Sequence, residues 1–128
     1  MKTITPLEKA ALAAILAEIV ADKRQIERIV DCVVISSREF SMDVANEENC
    51  CGFYSTFEPN ALLTDVSEIP THVGIRGIHS SLTAGADFIL FCSRSKKGLE
   101  YLEASFYGES LSTSELSLSD HGFQFIGA

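Results

Sequence analysis

Near the start of the chain, Leu12, Ile15, Leu16 and Ile19 recur in steps of three and four while Glu8, Lys9 and Glu18 fall outside that stripe. The pattern predicts a helix with one apolar side. Its first turn is written in Thr5-Pro6-Leu7-Glu8: Thr5 is placed to cap, Pro6 needs no N–H at the first helical position, and Glu8 can reach back to close a capping box. Asp22-Lys23-Arg24-Gln25 repeats the capping signal ahead of Ile26, Ile29 and Val30, which predicts a second helix from Lys23 after a bend near Ala21.

From Cys32 onward the vocabulary turns β-branched and aromatic. Cys32 to Phe40 and Cys51 to Phe57 read as two strands that pair antiparallel, with the polar stretch Ser41 to Asn49 between them. Glu58-Pro59-Asn60 suits a turn, and Ala61 to Pro70 a connector. Thr71 to Ser81, Asp87 to Arg94 and Leu99 to Tyr107 then form a meander, joined at Thr83-Ala84-Gly85-Ala86 and Ser95-Lys96-Lys97-Gly98. Phe88-Ile89-Leu90-Phe91-Cys92 is apolar at every position, the mark of a central strand covered on both faces. Gly108 to Asp120 reads as a connector, and Gly122 to Ile126 as a short last strand or a docked tail. The expectation is one α+β domain, residues 1–128. Two N-terminal helices pack on one face of a mostly antiparallel twisted sheet of four to six strands.

Charge narrows the choice of partner. Ten Lys and Arg stand against 18 Asp and Glu, a net of −8, which argues against nucleic acid, whose phosphates need a basic face. The longest run free of charged residues, Gly77 to Ala86, is far short of the ~20 apolar residues of a membrane span. No secretory pattern follows Met1, so a cytoplasmic location is expected. Seven acids, Glu39, Asp43, Glu47, Glu48, Glu58, Asp65 and Glu68, lie between Glu39 and Ile75 with no Lys or Arg among them. Five more, Glu100, Glu103, Glu109, Glu115 and Asp120, follow Leu99. A surface of one sign either keeps the chain soluble or steers a basic partner, with Asp43, Glu47 and Glu48 the candidate contacts.

Chemistry has thinner support. Cys50-Cys51 could supply a nucleophile with His79 or His72 as base, but Glu47 and Glu48 nearby disfavour a thiolate. Cys32 and Cys92 sit in apolar runs and read as core thiols. The three histidines, His72, His79 and His121, are scattered, and there is no Cys-x-x-Cys or His-x-x-x-His spacing, so neither a metal nor a cofactor is expected. Glu100 and Glu103 fall on opposite sides of a strand and cannot act as a carboxylate pair. Arg38-Glu39 and Arg76 read as surface cross-strand partners. Phe53, Tyr54, Phe57, Phe88, Phe91, Tyr101, Phe106 and Tyr107 read mainly as core.

Ser37-Arg38-Glu39-Phe40 leading to Gly52-Phe53-Tyr54-Ser55-Thr56-Phe57, and Gly85-Ala86-Asp87-Phe88-Ile89-Leu90-Phe91 leading to Leu102-Glu103-Ala104-Ser105-Phe106-Tyr107, form a pattern. It resembles a family of small bacterial proteins of unknown function, over most of Pro6 to Tyr107. This chain departs from that pattern by an insertion, Met42 to Cys51, and by a longer turn, Cys92 to Gly98. The resemblance implies an α+β fold and a bacterial source, with no activity to carry over. The function expected is a non-catalytic interaction module, immunity-like or regulatory, whose acidic surface meets a neutral or basic protein. The alternative is a small thiol enzyme using Cys50 or Cys51 with a histidine. Pairing of two copies into a homodimer is a third outcome, through an uncovered sheet face or edge.

Overall fold

The computed structural model describes residues 3–59, 63, 66 and 68–126. Asn60, Ala61, Leu62, Thr64, Asp65 and Ser67 of the expected turn and connector lie outside the described residues. Helix α1 spans Pro6–Leu16 and α2 spans Lys23–Cys32. The capping box is closed: Thr5 Oγ1 accepts from the Glu8 N–H at 3.1 Å, and Glu8 Oε1 accepts from the Thr5 N–H at 2.8 Å. Asp22 caps α2 by accepting from the Arg24 N–H at 2.9 Å. The second helix runs through Cys32, which is exposed at its last turn rather than buried at the head of a strand. The helical step set by Ile26, Ile29 and Val30 carries past the β-branched residues, so the change of vocabulary precedes the change of structure.

The strands are β1 (Ile35–Asp43), β2 (Asn46–Phe57), β3 (His72–Ile78), β4 (Ala86–Ser93), β5 (Gly98–Ser105), β6 (Leu111–Ser112) and β7 (Gln124–Ile126). They form one seven-stranded sheet in the order β1-β2-β5-β4-β3-β7, with β6 on β2, and every pairing is antiparallel. The count exceeds the expected four to six because the two short strands β6 and β7 use residues without an alternating pattern. The meander β3-β4-β5 is the body of the sheet, as expected, and the connector from β2 returns across its end. There the Leu63 N–H donates to Lys97 O at 2.6 Å, and Arg94 Nε donates to Ile69 O at 2.8 Å.

The polar stretch 41–49 is a ribbon rather than a loop. Strands β1 and β2 pair as far as Asp43 and Asn46 around Val44-Ala45. A two-strand ribbon needs only its backbone bonds, so polar side chains do not end it. Neither turn residue takes a positive φ, unlike the primed turns that match strand twist. The register accordingly shifts between Phe40 and Met42 and again between Met42 and Asp43.

One face of the sheet carries the core. Leu7, Leu12, Ile15 and Leu16 from α1 meet Phe53, Phe88, Leu90, Leu102 and Phe106, all essentially inaccessible. Each such burial contributes about 1.5–3 kcal/mol. Ile26 and Val30 join from α2. Gly77 is needed there, since a Cβ would stand 2.8 Å from the Phe88 ring and 3.1 Å from Phe123.

Candidate functional site

Two features of the sheet stand out, one on each face. Under α1, the Glu8 carboxylate is 1% exposed. It is the third residue of the helix, so closing the cap points it at the sheet. Arg38, on β1, turns toward the helix and binds it with both arms of its fork, Nε to Oε2 at 2.8 Å and Nη2 to Oε1 at 2.6 Å. Ser55 Oγ of β2 donates to Oε2 as well, and Arg38 Nη2 also donates to Thr3 O at 3.0 Å. Burial pushes the Glu8 carboxyl up, but the hydrogen bonds from Arg38, Ser55 and Thr5 outweigh it and hold the group below its ordinary value. The expected surface pairing of Arg38 is therefore corrected: Arg38 and Glu39 point to opposite faces, and Arg38 is a half-buried clamp on a buried carboxylate. A cavity of about 40 Å³ beside it is lined by Thr5, Glu8, Arg38, Phe40, Phe53, Leu116 and Ser117, the Ser117 hydroxyl donating to Ser114 O.

On the opposite face no helix packs among the described residues. The register sets Thr56, Tyr101, Phe91 and His72 in one row across β2, β5, β4 and β3. The next row is Glu39, Tyr54, Glu103, Ile89 and Gly74. Tyr101 stacks on Phe91 with ring centres 4.4 Å apart and planes within 15°, and Tyr54 leans on Tyr101 at 6.0 Å and 50°. Tyr54 is 42% exposed. The negative charge of Glu103 beside it, with some burial, raises the Tyr54 phenol above its ordinary value. Glu39, Tyr54, Thr56 and Tyr101 line a shallow groove of about 330 Å³.

These positions correct two expectations. Strand β4 has only one face under the helices; Ile89 and Phe91 on the other are half-buried by strand neighbours alone. Tyr54, Phe91 and Tyr101 stand outside the core, as does Tyr107, whose hydroxyl donates to Asp87. Their alternation with buried Phe53, Leu90 and Leu102 was the available signal, masked by an apolar vocabulary on both sides. Arg76 does form the expected exposed cross-strand pair, with Asp87 at 3.7 Å.

The remaining candidates are dispersed. Cys50 is buried, and burial raises its thiol above the ordinary value. Cys51 is half-buried and its Sγ lies 3.9 Å from Gly108 O. His79 follows β3, where it packs on Phe123 at 4.9 Å and accepts from the Ser81 N–H at 3.0 Å. Strands β5 and β4 intervene between β2 and β3, an offset of about 14 Å at ordinary strand spacing, so the sheet does not bring these thiols and His79 together. Cys92 is core, its thiol pushed up to about 11 by burial and by Glu100. Among the described residues no group of three or more His, Cys, Asp or Glu is arranged to hold a metal, and no helix is long and apolar enough to cross a membrane.

The acids occupy separate places. Glu47 and Glu48 are exposed on the ribbon tip, whereas Asp43 is half-buried and engaged, accepting from the Ala45 N–H at 3.0 Å and from Ser110 Oγ at 2.8 Å. Glu109 accepts from Thr83 Oγ1 at 2.9 Å and steadies the β3–β4 turn. Glu39 and Glu103 border the aromatic row; Asp65 lies outside the described residues. Comparison with protein-family models, with curated proteins and with solved structures gave no match.

Proposed function

We propose that this protein is a non-catalytic interaction module, immunity-like or regulatory, that receives a basic protein partner on the helix-free face of its sheet. The observation that carries this reading is that face itself: Phe91 stacked on Tyr101, with Tyr54 leaning on it from the next row, no helix over them among the described residues, and Glu39 and Glu103 alongside. Aromatic anchors within a polar margin are what protein interfaces are built around. Neither row holds a Lys or Arg, and Arg76, in the row beyond, is already paired with Asp87, so the unpaired field there is negative. Glu47 and Glu48 on the ribbon, with Asp43 shaping its turn, extend that field and raise the rate at which a cation arrives. The separation of the Cys50 and Cys51 thiols from His79 supports binding over nucleophilic chemistry.

The test is a titration of the isotope-labelled protein with a lysine-rich peptide, read as amide chemical-shift changes. Changes should concentrate on β1, β2, β5 and the ribbon. They should fade as salt rises from about 0.05 M to about 1 M, where the screening length is about 3 Å. Binding that ignores salt, or maps only to the helical side, refutes the proposal.

A further inference from the structure

We infer that the groove between Tyr54 and Tyr101 is a seat for one arginine side chain of that partner, its guanidinium lying over Tyr54 between Glu39 and Glu103; this rests on the reading of the open face as the docking surface. The register fixes the arrangement. Glu39 on β1, Tyr54 on β2 and Glu103 on β5 are successive members of one cross-strand row. The two carboxylates thus flank the tyrosine on either side, with backbones two strand spacings, about 9.5 Å, apart. A compact ion at that span would use only the carboxylates, whereas a planar cation can donate from both edges while its face rests on the ring between them. Neither Glu39 nor Glu103 is in an ion pair among the described residues, where the pairs are Arg38 with Glu8 and Arg76 with Asp87; Glu103 accepts a hydrogen bond from the Tyr54 hydroxyl, which leaves its charge without a cation.

The remaining walls fit the same occupant. Tyr101 is braced from behind by its stack on Phe91, so the ring beside the groove is held before anything binds, which lowers the ordering cost. Thr56, exposed at the groove's end, offers a hydroxyl acceptor for a further N–H. A lysine, as a point charge without a flat face, would reach one carboxylate and leave the other unmatched.

The experiment compares three blocked tripeptides, Gly-Arg-Gly, Gly-Lys-Gly and Gly-citrulline-Gly, the last keeping the arginine shape without its charge. Each is titrated into the full chain by amide and aromatic chemical shifts. Arginine should bind about tenfold more tightly than lysine, and its side-chain protons should shift upfield over the tyrosine ring. Citrulline should not bind. The variants Glu39→Gln with Glu103→Gln, and separately Tyr54→Ala, should each weaken arginine about tenfold while amide shifts under the helices stay put, showing an intact fold. Equal binding of arginine and lysine, both lost in the double glutamine variant, overturns the arginine seat and leaves the basic-partner reading standing. The same holds if the shifts depend on Glu47 and Glu48 alone. Silence from both cations, or citrulline binding as well as arginine, overturns the seat and the docking face together.

Discussion

The two faces of one sheet, built from the same strands, solve the problem of charge in opposite ways. Beneath α1 a carboxylate is sealed from water and every lone pair is used: Glu8 is held by Arg38, Ser55 and its own helix cap. On the reverse, Glu39 is exposed and Glu103 half-buried beside the aromatic rings, and neither takes a cationic partner among the described residues. A buried ion that is fully paired fixes how two layers dock, whereas an exposed ion beside an apolar surface remains available to something else. The contrast separates what holds the fold from what the fold presents.

The sharpest way to break the comparison is to remove the clamp. Arg38→Met should cost about 3–5 kcal/mol in urea unfolding, because it strands Glu8 without its counter-ion; a loss under ~1 kcal/mol would mean the clamp is decorative. Next, β4 offers a matched pair. Phe88→Ala, under the helices, should cost about 3–5 kcal/mol, and Phe91→Ala, three positions on but facing out, only about 1–2 kcal/mol. Equal losses would show that the outer face is core after all.

Acid titration sharpens the same contrast. The folded-state pKa of Glu8 is depressed, so its contribution is complete above the unfolded value of about 4.3 and is lost as pH falls through the lower folded value. Wild type should therefore lose stability steeply below about pH 4, and Glu8→Gln should flatten that limb when midpoints are followed by circular dichroism. The smallest effect belongs to the ribbon. Glu47→Gln with Glu48→Gln should leave stability within about 0.5 kcal/mol, while stopped-flow mixing with a lysine-rich peptide shows a slower association whose salt dependence is reduced.

Local signals carried much of the fold. The Thr5–Glu8 box, the Asp22 cap and the three-strand meander were legible because each is encoded within a few residues. The same Glu8 shows where such reading stops. Its role as a cap is local, but its role as the partner of Arg38 depends on which way β1 faces once α1 has been laid down. Cys32 was misplaced because a helical period outlasted the strand-like composition. The open face was hidden for a different reason. Phe91 and Tyr101 look like core, and nothing in a single strand says which of its sides the helices will cover. An apolar strand with no helix on one face among the described residues is what prompts the proposal of an external cover.

The Glu8 clamp also sets a sequence of events at the ribosome. Its partners lie 30 and 47 positions downstream, so α1 emerges with a carboxylate that must stay hydrated until the β1–β2 hairpin has been made. The newborn amphipathic segment therefore cannot bed down early on a stray apolar surface without stranding an ion there. Helix α1 is held back until the floor it will rest on exists.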